Sequence, residues 1–169
     1  MKRGYIPWLI LLLLATLMGG MIMGMLKKRN EQKEAMTNAE SIPALKLKSS
    51  LLKKQQPTKL NNGKKTVFVY LNSECDYCQY EINQISKHQG AFNKINLFFL
   101  FSESDLEMTS LLKKSTLSNI IIPLQVSPEV AFNEFGFKVF PSISIYDSEG
   151  NLIVRYSGET KISTVLKYL

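Results

Sequence analysis

Apolar positions are spread unevenly along the chain. From Tyr5 to Leu26 no charged residue occurs. The run IPWLILLLLATLMGGMIMGML is about as long as a helix needs to cross a hydrocarbon core of roughly 30 Å. Lys2 and Arg3 precede it, and Lys27, Lys28 and Arg29 follow. Tyr5 and Trp8 stand where aromatic residues collect at a membrane interface. Pro7 falls in the first turn, where a missing N–H does least harm. The apolar core of a cleaved signal peptide is shorter, about 7–15 residues, and no small-x-small site intervenes here before the charges. Residues 1–26 therefore read as a transmembrane anchor. Gly20 and Gly24 make a GxxxG, read as ordinary membrane-helix composition and not as a dimer face.

Residues 27–40 (KKRNEQKEAMTNAE) are polar and lack strong apolar periodicity, so they read as a tether, with a frayed helical extension of the anchor as an alternative. From residue 41 the pattern becomes that of a globular domain, 41–169. Ile42 to Leu47 alternates after Pro43 and could form a short edge strand. Gln56-Pro57 and Asn61-Asn62-Gly63 are turn signals.

Thr66 to Asn72 (TVFVYLN) is a continuous β-branched and aromatic run, the mark of a buried central strand. From Cys75 to Lys87 the period turns helical, with Tyr77, Glu81, Ile82 and Ile85 three and four residues apart. Gly90 reads as a stop. Lys94 to Phe101 predicts a second buried strand. Ser104 to Lys114 predicts a helix, acidic early and basic late. Ile120 to Ile122 is a short apolar run ended by Pro123. Ser127-Pro128-Glu129 opens a helix that should end by Gly136. Val139 to Tyr146 and Asn151 to Tyr156 flank an Asp147–Gly150 turn and predict a hairpin. Thr160 to Leu169 closes as a helix. The order β-α-β-α-(β)-α-β-β-α predicts an α/β fold with a mixed central sheet flanked by helices.

Charge sharpens this division. Residues 1–65 hold 13 Lys/Arg and 3 Asp/Glu, a net of +10; residues 66–169 hold 8 and 11, a net of −3; together they make the chain's +7. A nucleic-acid binder carries its basic patch on the folded domain. Here the basic residues follow the apolar run, which fits anionic lipid headgroups better and argues against nucleic acid. Lipid contact is expected through residues 5–26.

The chain has two cysteines and one histidine. A structural disulfide framework needs more cysteines, spread along the chain. A zinc site needs four ligands, so one chain cannot close one from Cys and His alone. His88 reads as a helix-end surface residue. No metal and no cofactor is expected. What remains is a redox pair in Cys75-Asp76-Tyr77-Cys78, set at a strand-to-helix junction. A cysteine at a helix N-terminus meets unpaired N–H groups and the positive end of the dipole, and both favour the reactive thiolate. A second cysteine one turn along can attack a mixed disulfide and release it. Cys75 is thus the expected nucleophile and Cys78 the resolving thiol.

At this point the chain resembles the thioredoxin superfamily, in particular the membrane-tethered TlpA/ResA-like thiol reductases. The resemblance rests on VFVYLNSECDYCQYEI, with Glu81 three residues after Cys78, and on FGFKVFPSISIYDSEGNLIVRYSG. It implies a thioredoxin-like fold and protein-disulfide reductase activity. It also implies a cis Pro141 beside the cysteines, with Phe140 backbone pairing to an extended substrate segment. Tyr77, Phe140 and Pro141 are the expected substrate contacts, and Cys75, Cys78 and Glu81 the expected catalytic residues. Three positions depart from the family pattern. Glu74 stands where many relatives have tryptophan. Val69, six residues before Cys75, replaces a buried acid, which leaves Glu81 or water to handle the proton of resolution. Tyr77 replaces a frequent proline. Negative charge at Glu74 and Asp76 disfavours a thiolate between them, which leans the pair toward reduction.

The partners implied are protein thiol and disulfide substrates and a transmembrane electron donor. Two other functions compete. A peroxiredoxin-like peroxidase usually has Thr or Ser three residues before its reactive cysteine, where this chain has Asn72. A redox-inactive tethered module would hold extended peptides through Phe140 and Pro141 and would have no use for CxxC. Counting Lys2, Arg3 and the amino terminus against Lys27, Lys28, Arg29 and Lys33 leans slightly toward a cytoplasmic domain. The resemblance implies the reverse: a single-pass protein of the bacterial cytoplasmic membrane with its domain on the extracytoplasmic, periplasmic side. The latter is the expectation adopted.

Overall fold

The computed structural model describes residues 6–38, 63–102, 112, 117 and 119–169. They fall into two units, a long N-terminal helix and an α/β domain.

Helix α1 runs from Ile6 to Asn38, 33 residues. At 1.5 Å per residue it is about 50 Å long, more than a hydrocarbon core of roughly 30 Å requires. Within it, Leu11–Glu31 is long and apolar enough to cross a membrane by length and composition. Every side chain of that span is exposed. The helix does not stop at the first charges but continues through the residues expected to form a tether. Glu31, Gln32, Lys33, Glu34, Ala35 and Met36 are strong helix formers, and no glycine or proline interrupts them.

Among the described residues, the α/β domain is built on a sheet of five strands. Its described elements are β1 Thr66–Leu71, α2 Asp76–Lys87, α3 Gln89–Phe92, β2 Asn96–Phe101, β3 Ile121–Gln125, α4 Pro128–Phe135, β4 Ser142–Tyr146, β5 Leu152–Ser157 and α5 Ile162–Leu166. The strand order is β3-β2-β1-β4-β5. β1 pairs in parallel with β2 and antiparallel with β4, so the sheet is mixed, as expected. β1 is central and buried along its whole length.

Side chains alternate across β1. Val67, Val69 and Leu71 join Ile82 and Ile85 of α2 and Val165 of α5 in one core cluster. Phe68 and Tyr70 face the other way, into a cluster with Phe135, Phe137 and Tyr146. There Phe68 stacks on Phe98 at 5.0 Å between ring centroids and meets the edge of Phe135 at 5.0 Å. The two apolar faces of one strand thus hold helices on both sides of the sheet.

Several boundaries differ from expectation. β3 continues through Pro123 to Gln125. Among the described residues it is an edge strand, paired only with β2, so a residue without an N–H is tolerated there. Gly90 does not end the helical stretch: α3 adds one turn that carries Phe92 into the core. Burying a phenylalanine outweighs the cost of one helical glycine. β4 begins at Ser142, after Phe140 and a cis Phe140–Pro141 bond, because Pro141 offers no N–H to the ladder. The closing helix is shorter than expected. Lys65 Nζ donates to the carbonyls of Tyr168 and Leu169 at 2.8 Å each, taking the chain's last acceptors across to the start of β1. The expected edge strand over residues 42–47 and the expected helix over residues 104–114 lie outside the described residues, apart from Leu112.

Candidate active site

β1 ends at Leu71, and the chain turns at residues 72–74 into α2. Cys75 is the N-cap of α2, with extended backbone (φ −93°, ψ 112°), and its side chain makes no capping hydrogen bond. The sulfur therefore belongs to the residue that opens the helix and is not tied to a first-turn N–H. The Cys75 carbonyl accepts from the N–H groups of Cys78 at 2.9 Å and Gln79 at 3.1 Å. This starts the helix and sets Cys78 one turn along. Cys75 is half-buried and Cys78 fully buried; both are thiols. The difference in exposure fits a sulfur that meets substrate and a sulfur that meets only its partner.

Two of the three expected departures gain a physical consequence. Val69 is fully buried in the first cluster, so that place holds no acid. Glu74 and Asp76 are exposed, and solvent screens the charge they present to Cys75. The lean toward reduction drawn from their charge is correspondingly reduced.

Glu81 is different. It lies on the inner face of α2, fully buried, and neither carboxylate oxygen makes a hydrogen bond of good geometry. Burial pushes its pKa up to about 7; the nearby Thr160 backbone partly opposes this, and the Glu159 charge adds to it. A carboxyl that titrates near neutrality can both accept and return a proton.

The register brings the proline to the same end of the sheet. Tyr70 of β1 lies opposite Ser142 of β4, so the carboxyl end of β1 meets the start of β4. Pro141 precedes Ser142 there, buried, and joined to Phe140 through the cis bond. The Phe140 ring packs on Tyr70 at 4.4 Å between centroids, and Phe140 borders both core clusters. Cys75 borders the first of these. The loop after β5 completes the surround: the Gly158 N–H donates to the Pro141 carbonyl at 2.8 Å, and Thr160 stands by Glu81. Tyr77 is 59% exposed on the first turn of α2. His88 is exposed at the far end of α2, with Nδ1 2.9 Å from the Gln84 carbonyl. Among the described residues no cluster of His, Cys, Asp and Glu could hold a metal ion.

The sequence model of the thioredoxin-like domain matches residues 52–169, well over half of the chain. The chain belongs to the thioredoxin-like family. Solved structures agree on the fold. DsbF of Mycobacterium tuberculosis, solved in mixed oxidised and reduced forms, superimposes with a TM-score of 0.56 at 16% identity, covering 63% of this chain and 78% of its own. A secreted disulfide oxidoreductase of the same organism, homologous to E. coli DsbE, gives 0.54 at 16% identity, with 63% and 80% covered. StoA of Bacillus subtilis gives 0.51 at 16% identity, with 66% and 84% covered. At these identities the likeness is one of fold. No curated protein sequence matches the chain. Within the thioredoxin-like fold, the Cys75–Cys78 pair follows the carboxyl end of the central strand, the end of the sheet at which the cis proline leads into β4.

Two parts of this site escaped the sequence. Asn72 reads there as the end of the first strand and as a mark against a peroxidase, although an asparagine two residues before an exposed turn residue is a turn-forming signal in its own right. The approach of Thr160 to Glu81 joins residues far apart in the chain and left no local signal.

Proposed function

We propose that this protein is a membrane-anchored thiol–disulfide oxidoreductase that reduces disulfides of exported proteins. The observation that carries the reading is the placement of Cys75 at the N-cap of α2, with buried Cys78 one turn on. Cys75 attacks a substrate disulfide. One substrate sulfur leaves with the electron pair, and the other stays bonded to Cys75. Cys78 then gives its proton to Glu81 and attacks the Cys75 sulfur. The bond between Cys75 and the substrate breaks, and the second substrate sulfur leaves and is protonated. The substrate gains two electrons and two protons, and the protein ends as a Cys75–Cys78 disulfide. Tyr77, Phe140 and Pro141 contact the substrate around the reacting sulfur. A transmembrane donor returns the two electrons.

Residues 1–26 anchor the protein, residues 27–40 tether the domain, and residues 41–169 carry the chemistry. The domain lies on the extracytoplasmic side. The secreted mycobacterial oxidoreductase of the same fold supports that side.

The test is a redox titration of the full chain in detergent micelles against a thiol buffer, reading the disulfide by alkylation and mass. A reversible intramolecular disulfide near or below about −270 mV, the thioredoxin range, is expected. A much higher potential would make the protein an oxidant or isomerase. Absence of an intramolecular disulfide would leave a tethered binding module as the better account.

A further inference from the structure

Three hydrogen bonds converge on one residue at the end of β1. The Asn72 backbone N–H donates to Cys78 Sγ at 3.4 Å. Its carbonyl accepts from the Cys75 N–H at 3.3 Å. Its side-chain Oδ1 accepts from the Glu74 N–H at 3.0 Å. Across the same turn, Gln79 Nε2 donates to the Ser73 carbonyl at 3.0 Å. Glu74 is exposed and gives the turn no packing. Two carboxamides hold it instead. An asparagine that accepts from the N–H two residues on fixes its own backbone conformation and that of the next residue. It thereby fixes the direction of the N–H aimed at Cys78.

We propose that, given the dithiol chemistry above, Asn72 is a positioning residue for the second step: its side chain holds the turn that aims the residue-72 N–H at the resolving sulfur. Negative charge develops on Cys78 Sγ as its proton leaves and before it attacks the Cys75 sulfur. A hydrogen bond donated to the charged form favours that form. The donor points at Cys78 and not at Cys75, so it acts on resolution and leaves the first attack alone. Gln79 supports the same turn from the helix side.

The reduced full chain in detergent micelles is mixed with Ellman's reagent, 5,5′-dithiobis(2-nitrobenzoate), in a stopped-flow instrument. Attack by Cys75 releases one coloured thiolate and leaves the other as a mixed disulfide. Attack by Cys78 on the Cys75 sulfur releases the second. Asn72→Ala is expected to slow the second release roughly five- to ten-fold, the scale of one lost hydrogen bond, and to leave the first within about two-fold. Asn72→Ser keeps an acceptor for the Glu74 N–H and is expected to recover part of the loss. The proposal is overturned if Asn72→Ala resolves at the wild-type rate, if both phases slow together, or if the serine variant is as slow as the alanine. A wild-type chain that shows only the first phase overturns the dithiol chemistry itself, and this role with it.

Discussion

Among the described residues, Glu81 is the carboxylate that burial pushes up to about 7. A glutamate on an exposed helix face titrates near 4.5. The folded state therefore holds its proton where the unfolded chain has lost it. Its contribution to stability is complete below about 4.5 and is lost as the pH rises through about 7. Replacement by glutamine removes the penalty. Glu81→Gln is expected to gain roughly 2–3 kcal/mol relative to wild type between pH 5 and pH 8, read by chemical unfolding at each pH. A difference that does not change with pH would rule out a titrating group there. The same variant should flatten the rise of disulfide-exchange rate from pH 6 to pH 8. An acid that is merely buried would alter the stability profile and leave the exchange profile alone. The sequence marked Glu81 by its spacing from Cys78, but spacing alone left it equally readable as an exposed helix acid.

At the scale of elements, local rules account for α4 most completely. Ser127 caps it, accepting from the Val130 N–H at 3.2 Å; Pro128 opens it; Gly136 ends it with φ +67°. Both boundaries were legible in the sequence because capping depends on a few adjacent residues. Gly136 is also pressed by another element: a Cβ there would lie 2.8 Å from Arg155 Nη1 of β5. Gly90 in α3 has φ below zero and nothing within 4 Å of an added Cβ. Gly136→Ala is expected to cost about 1–2 kcal/mol or more, from the left-handed backbone and the displaced guanidinium. Gly90→Ala should be neutral or gain up to about 1 kcal/mol. Equal effects in denaturant unfolding would contradict the two environments. The boundaries that shifted did so for tertiary reasons. Phe92 needed burial, Pro123 lay on an edge, and Lys65 claimed the last carbonyls of the chain.

At the scale of the whole molecule, the question is where the thiols face. Cys78 is fully buried and Cys75 only half so, which makes Cys75 the sulfur that a reagent meets first. With the chain reduced, a membrane-impermeant maleimide is expected to label Cys75 in whole cells, or in cells permeabilised only at an outer membrane. Labelling that appears only after lysis would put the domain in the cytoplasm, where the charge count around α1 slightly leans. The continuous helix to Asn38 bears on this arrangement as well. At 1.5 Å per residue, the part of the helix beyond Leu26 is about 18 Å long, helical where the polar composition suggested a flexible tether.

The sequence by itself determined what local periodicity and adjacency can encode. The uncharged run of α1, the β-branched run of β1, the helical spacing after Cys75 and the turn at Asp147–Gly150 are each written in consecutive residues. So is the CxxC at a strand-to-helix junction, which made the chemistry legible before the fold. The tertiary structure decided what depends on residues meeting across the chain. It set Pro141 opposite the carboxyl end of β1 through the Tyr70–Ser142 register. It buried Glu81 beneath the loop of Thr160 and so moved its proton affinity to neutrality. It also aimed the Asn72 N–H at the Cys78 sulfur. Burial and hydrogen-bond direction are properties of packed neighbours, and these neighbours are brought together by the sheet and not by the order of residues.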